Sequence, residues 1–382
     1  MSTEIFDNVP DRRLTHSLKW GKYEGRDIIP LWVADMDFRS PPEVIDAAIA
    51  ASEFGNFGYS KCPPPLVDIV IERSRALYGW DIDPLSIVWL PGMVCALNVC
   101  CRALAQECSQ VFTQTPIYPP FLSAPGNFDL TSREIPMRLE GHRFTFDFDV
   151  IESLNTSPGD LFMLCHPHNP VGTAFTKKEL IRFSNWIVEK KLYLCSDEIH
   201  CDLILDLDAR HHPIASISPE LASRCITLMA PSKTFNIPGF GCSFAVIPDP
   251  QLRGKFKKAL QGIVPDPPAM GFLLAEKAYR YGEPWRMELL TYLRRNRDLA
   301  FNKISDMPWL RPFKPEATYL LWMDARKLPT DNPHHHFEQH GVGLSDGKDF
   351  GAPGYLRLNL GCTHKLLSEA LLRMKIACQA LS

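Results

Sequence analysis

The stretch Cys225-Ile-Thr-Leu-Met-Ala-Pro-Ser-Lys-Thr-Phe-Asn-Ile-Pro-Gly-Phe-Gly-Cys-Ser-Phe-Ala-Val-Ile247 holds one lysine between two apolar runs. An apolar run bounded by turn residues reads as a buried strand. Lys233 therefore sits where a strand ends, among Pro231, Ser232, Phe235 and Pro238. Partial desolvation there disfavours the ammonium form, and a lysine whose pKa falls becomes a usable nucleophile toward a carbonyl carbon. A solvated loop lysine is the other reading of the same stretch.

Upstream, from about residue 86 to 247, the order of short apolar strand, polar loop and amphipathic helix recurs. Residues 86–97 read as strand, turn at Pro91-Gly92, then helix. Residues 111–120 read as a strand entering a proline-framed aromatic, Tyr118. The apolar run 161–165 precedes His166-Pro-His-Asn-Pro-Val-Gly172, and 192–195 precedes Ser196-Asp-Glu-Ile-His200. Thr176-Lys-Lys-Glu179 fits a capping box opening a helix through Glu189. This order specifies an α/β layer with a largely parallel sheet. Ligands gather outside the carboxyl ends of such strands. The loops bearing Gly92, Tyr118, Asn169, Asp197 and Lys233 all follow strands, so all five converge on one crevice. Backbone amides at the helix start after Gly92 suit a phosphate. Tyr118 suits either stacking on a flat ring or ordinary core packing.

On the N-terminal side, an apolar run at 28–34 is followed by Asp35 and Asp37, and Ser40 reads as the N-cap of a helix reaching Ser52. Residues 54–59 alternate glycine and aromatics as a loop, and a helix at 66–78 ends at Gly79. Beyond Pro248, helices at 272–281 and 285–303, strands at 319–323 and 355–360, and a last helix at 365–380 suggest a smaller C-terminal domain. Arg357 lies mid-strand between leucines and needs an anionic partner, either a structural ion pair or a ligand. His334 to His336 read as an exposed loop.

A chain of 382 residues, 45% hydrophobic and 22% charged, has room for two globular domains with sizeable cores. Its net charge of -3 offers no electrostatic case for nucleic acid or an anionic membrane, and points to a small-molecule ligand. Residues 1–11 are polar and acidic, without the apolar core of a signal peptide or a membrane span, so the cytoplasm is the expected location. Most of the 12 cysteines, such as Cys100, Cys165, Cys195, Cys201 and Cys225, lie in apolar runs and read as small buried hydrophobes. Cys195, His200 and Cys201 lack a second ligand pair, so no metal is expected.

In this order and spacing, Trp32-Val-Ala-Asp-Met-Asp-Phe38, Pro167-His-Asn-Pro-Val-Gly172, Ser196-Asp-Glu-Ile-His200, Ser232-Lys-Thr-Phe-Asn236, Leu344-Ser-Asp-Gly347 and Arg357-Leu-Asn359 carry a family resemblance over nearly the whole chain. The sequence resembles fold-type I pyridoxal-phosphate enzymes of aminotransferase class I/II, most closely the MalY/PatB branch of cystathionine β-lyases and other carbon–sulfur lyases. The resemblance implies an α/β, PLP-dependent transferase-like fold. Residues 46–275 would form a large cofactor-binding domain with a mostly parallel central sheet. Residues 1–45, an N-terminal arm, and 276–382 would supply the smaller α/β domain.

The resemblance also implies roles. Lys233 would condense with the aldehyde of pyridoxal 5'-phosphate and then remove the substrate Cα proton. Asp197 would keep the pyridine nitrogen protonated and the ring a good electron sink. Asn169 would bond the ring hydroxyl, Tyr118 would stack on the ring, and Ser232 with the backbone of Met93 and Val94 would hold the phosphate. Tyr59 would reach the phosphate of a neighbouring subunit, making a homodimer with a shared active site. Arg357 would clamp the substrate carboxylate through its planar fork, with Asp37 also on the substrate side. His200 stands near the ring where many aminotransferases have tyrosine, and Cys242 where they carry a phosphate-binding arginine; both look like the lyase branch. The implied activity is β-elimination from cystathionine or a related cysteine S-conjugate, giving thiol, pyruvate and ammonia. The alternatives are an aminotransferase of a small amino acid and a cofactor-binding regulatory protein without turnover.

Overall fold

Two five-residue runs in which every side chain is buried, Leu161–Cys165 and Cys225–Met229, stand at the centre of the molecule. Continuous rather than alternating burial belongs to a sheet covered on both faces. The computed structural model describes residues 3–381; Met1, Ser2 and Ser382 lie outside them. Seven strands form the main sheet: β1 (Ile87–Leu90), β2 (Gln110–Thr115), β3 (Thr131–Pro136), β4 (Leu161–Cys165), β5 (Tyr193–Asp197), β6 (Cys225–Met229) and β7 (Ser243–Val246). Their spatial order is β1-β7-β6-β5-β4-β2-β3. Neighbours from β6 to β3 run parallel, while β7 is antiparallel to both β6 and β1. The carboxyl ends of the parallel strands therefore open on one edge, where their loops meet.

A second sheet uses the C-terminal part of the chain: β8 (Arg311–Phe313), β9 (Leu320–Asp324), β10 (Ser345–Asp346) and β11 (Tyr355–Asn359) in the order β8-β9-β11-β10, all antiparallel. The N-terminal segment joins this side, Ile29 and Pro30 pairing in parallel with Val342 and Gly343. Gly172 fastens the two sheets together. Its carbonyl accepts from the Glu316 and Ala317 amides, each at 2.9 Å. Its φ is +75°, and a Cβ there would lie 2.4 Å from Pro315 Cβ, so only glycine fits.

Local signals set most helix ends. The capping box at Thr176 is formed, with Thr176 Oγ1 accepting from the Glu179 amide at 3.3 Å and the Glu179 carboxylate accepting from the Thr176 amide at 2.7 Å. Helix Pro64–Tyr78 ends on Gly79 in the left-handed region. Two expectations are corrected. Ser40 is not a cap: Pro41 holds that position before helix Pro42–Phe54, and Ser40 Oγ donates to the Asn236 carbonyl at 3.1 Å. His334 to His336 are not a loop but part of helix Pro333–Gln339, because the Asn332 side chain accepts from the His335 amide and starts the turn. His336 is buried there, its Nε2 3.0 Å from the Ala377 carbonyl.

Candidate active site

At the carboxyl edge of the main sheet, the loops after β1, β2, β4, β5 and β6 enclose a cavity of about 520 Å³ that also meets β10 and β11. That volume is in the range of small-molecule sites. Met93, Val94, Tyr118, Asn169, Asp197, His200, Ser232, Lys233 and Arg357 all line it.

Lys233 follows β6 by four residues, and its Nζ donates to the Ala34 carbonyl at 2.5 Å. Burial, with a smaller contribution from Arg357, lowers its pKa to about 8 against the carboxylates of Asp35 and Asp197, which favour the charged form. Asp197 ends β5, and burial pushes its carboxyl up to about 7 even though the Ile199 amide donates to it at 3.1 Å. An acid held this far from its ordinary range favours a cationic partner that restores the carboxylate. His200 is buried and held down to about 3 by desolvation, so its ring is neutral; its Nδ1 has no partner. Tyr118 is framed by Pro116 and Pro119 at the head of helix Pro119–Ser123, where its ring forms one wall.

Arg357, on β11, donates to Asn169 Oδ1 at 2.8 Å, to the Trp32 carbonyl at 2.8 Å and to Ser345 Oγ at 3.2 Å. Its Nε has no partner, and among the described residues no carboxylate pairs with it. Burial without a counter-charge lowers its pKa to about 10. A structural ion pair is therefore not what this arginine was placed for.

Helix Met93–Leu104 starts after Gly92, and its first residues Met93 and Val94 line the cavity together with Ser232 and Ser243, where the free amides of a helix start suit an anion. Amine, carboxylate, aromatic wall, helix start and a guanidinium without a counter-charge together fit a flat aldehyde ring bearing a phosphate, joined to a carboxylated substrate. Pyridoxal 5'-phosphate has that chemistry.

Two expected residues are not brought to the cavity. Asp37 is buried outside it, bonded to Lys19 Nζ at 2.9 Å, Arg12 Nη1 at 3.0 Å and Trp20 Nε1 at 3.0 Å, and these three donors turn it away from the substrate side. Tyr59 is fully exposed on the segment between helices Pro42–Phe54 and Pro64–Tyr78. Sequence reading missed Tyr319, whose hydroxyl donates to the same Ala34 carbonyl at 2.9 Å, and Ser345, which donates to the Trp32 carbonyl at 2.7 Å. It also missed Lys22 and His334 on the outer wall. Lys22 lies 4.7 Å over the Trp32 ring, a pairing that no sequence spacing announces.

Comparison with known proteins agrees with this geometry. The chain is 35% identical to cystathionine beta-lyase PatB of Bacillus subtilis, over 97% of this chain and 99% of that protein. It superposes on the crystal structure of OvoB with a TM-score of 0.95 and 43% identity, covering 98% of this chain and 99% of that one. The structure of cystalysin from Treponema denticola, which contains a pyridoxal 5'-phosphate cofactor, matches with a TM-score of 0.93 and 30% identity over 99% of each chain. The family profile for aminotransferase class I and II matches residues 26–374, and the chain belongs to that family.

Proposed function

We propose that this protein is a pyridoxal-phosphate-dependent carbon–sulfur β-lyase that acts on cystathionine or a related cysteine S-conjugate and releases a thiol, pyruvate and ammonia. The observation that carries the reading is the convergence of the Lys233 amine, the Asp197 carboxyl and the unpaired Arg357 guanidinium on one cavity. When bound, the cofactor supplies an electron sink for the charge that develops at the substrate Cα. Arg357 takes the substrate α-carboxylate through its planar fork, which replaces the missing counter-charge. Lys233, neutral at a pH only slightly above its lowered pKa, accepts the Cα proton at Nζ. Asp197 holds positive charge at the far side of the site, and the Tyr118 ring fixes the plane against which the substrate lies. The sulfur leaves as a thiolate, which needs little help from an acid.

We further infer a homodimer in which Tyr59 completes the partner's phosphate site. In support, Phe54, Phe57 and Tyr59 are 80%, 67% and 112% exposed within six residues, an apolar cluster costly to leave in water.

Incubation of the purified protein with pyridoxal phosphate and cystathionine, without any 2-oxo acid, tests the activity. Release of thiol and pyruvate is expected. Amino transfer to an added 2-oxo acid with no thiol would replace the lyase by an aminotransferase.

A further inference from the structure

The segment Trp32–Phe38, whose first three residues line the cavity, is a strap whose carbonyls are held by side chains from other elements. Asn359 Nδ2 donates to the carbonyls of Val33 at 2.6 Å and Asp35 at 2.8 Å. Asn236 Nδ2 donates to those of Met36 at 3.0 Å and Phe38 at 2.8 Å. Between these anchors lies Ala34, whose carbonyl receives Lys233 and Tyr319.

The strap's two carboxylates leave on the far side, toward the N-terminal segment. Arg12 Nη2 lies 2.5 Å from Asp35 Oδ2, and its Nη1 donates to Asp37 Oδ1 at 3.0 Å and to the Met36 carbonyl at 3.1 Å. Asp35 Oδ1 is buried without a partner, so Arg12 is the one cation that bonds this carboxylate among the described residues. The charged and titratable groups around the Lys233 amine are Asp35 on the strap, Asp197 on β5, His200 beyond it, Arg357 on β11 and the Tyr319 hydroxyl.

We propose that Arg12 is a positioning residue for the Lys233 amine: it fixes the strap whose Ala34 carbonyl holds Nζ, and it offsets the negative charge that Asp35 presents to that amine. This rests on Lys233 being the reacting amine. A lysine amine that is to act as a base needs a held position and the right charge. The Ala34 carbonyl supplies the position, and the Arg12–Asp35 pair tunes the charge from outside the cavity. Removing Arg12 leaves the Asp35 carboxylate uncompensated, which favours the ammonium form. Removing the Asp35 charge does the reverse.

The test is competitive acetylation of Lys233 across pH, read by mass spectrometry on the full chain stripped of cofactor, beside the pH dependence of the visible band after reloading. The parent should show a midpoint at about 8. In Arg12→Ala the midpoint should rise by roughly half a unit to one unit, and in Asp35→Asn it should fall by a similar amount. Arg12→Lys, which keeps the charge, should stay near the parent. Folded variants with the parent's midpoint, or with Arg12→Ala and Asp35→Asn shifted in the same direction, would overturn the proposal. If Arg12→Ala does not fold, Asp35→Asn against Arg12→Lys decides by the same criterion. Labelling needs no substrate, so failure of the unmodified protein to cleave cystathionine would refute the lyase reading without touching this result.

Discussion

Arg357 Nη1 lies 2.8 Å from Asn169 Oδ1, joining β11 to the loop after β4 across 188 positions of sequence. The contact orients the guanidinium without neutralising it, because an amide oxygen brings a dipole and no charge. A buried cation kept unpaired costs stability, and it persists where a ligand supplies the anion.

Arg357→Met should therefore separate stability from function. In the cofactor-free protein, urea unfolding should show the variant within about 2 kcal/mol of the parent, since relief of a desolvated charge offsets the loss of its hydrogen bonds to Asn169 Oδ1, the Trp32 carbonyl and Ser345 Oγ. Turnover should be lost. Arg357→Lys keeps the charge but not the fork, and kcat/KM for the amino-acid substrate should fall about 10- to 100-fold. A methionine variant less stable by more than about 4 kcal/mol would mean that the arginine is a structural group.

Lys233→Ala should abolish both the visible band of the lysine-bound cofactor and thiol release, with a rate loss on the order of 10,000-fold. In the unmodified protein only the neutral amine couples with the aldehyde. The folded pKa of about 8 lies below the ordinary lysine value, so the rate of cofactor capture should climb with pH and level off above about 8. Stopped-flow absorbance from pH 6 to 10 reads this directly; a rate still climbing at pH 10 would mean that the amine is not desolvated.

Behind the site, Glu198 Oε2 and His211 Nε2 lie 2.7 Å apart, both fully buried, and Glu198 Oε1 accepts from Ser196 Oγ and the Ile214 amide. Burial raises the carboxyl to about 7 and lowers the imidazole to about 3, so the pair is neutral in between. Glu198→Gln preserves a donor and an acceptor and should cost less than about 1 kcal/mol at pH 5. Glu198→Leu orphans three buried groups and should cost roughly 2–4 kcal/mol. A carboxyl whose folded pKa is raised contributes stability that is full below its unfolded value of 4.5 and is lost as pH rises through about 7. Relative to the parent, the glutamine variant should therefore fare better at pH 8 than at pH 5 in thermal unfolding; the opposite order would show that the carboxylate is the form the fold requires.

Local patterns were legible wherever one stretch of chain decides its own shape. The buried runs of β4 and β6, the capping box at Thr176 and the glycine end at Gly79 appear as read. The three histidines at 334–336 were misread because their helix depends on a cap at Asn332 and on burial of His336 against the last helix. Asp37 was misread for a related reason. Trp32 to Ala34, earlier in the same motif, line the cavity, yet the Asp37 carboxylate is claimed by Lys19, Arg12 and Trp20, which come from another segment.

By itself the sequence determined the alternation of β1, β2, β4, β5 and β6 with loops and helices, and the placing of Asp197 at a strand end and Lys233 shortly after one, because hydrophobic period and turn chemistry act over a few residues. It also determined family membership, through motifs spread along nearly the whole chain. Only the tertiary structure decided that Arg357 has no carboxylate partner among the described residues, that the Ala34 carbonyl holds the Lys233 amine, and that Arg12 stands behind Asp35. Those relationships join segments 23 to 199 residues apart, and charge and desolvation take their values only once such segments are packed together.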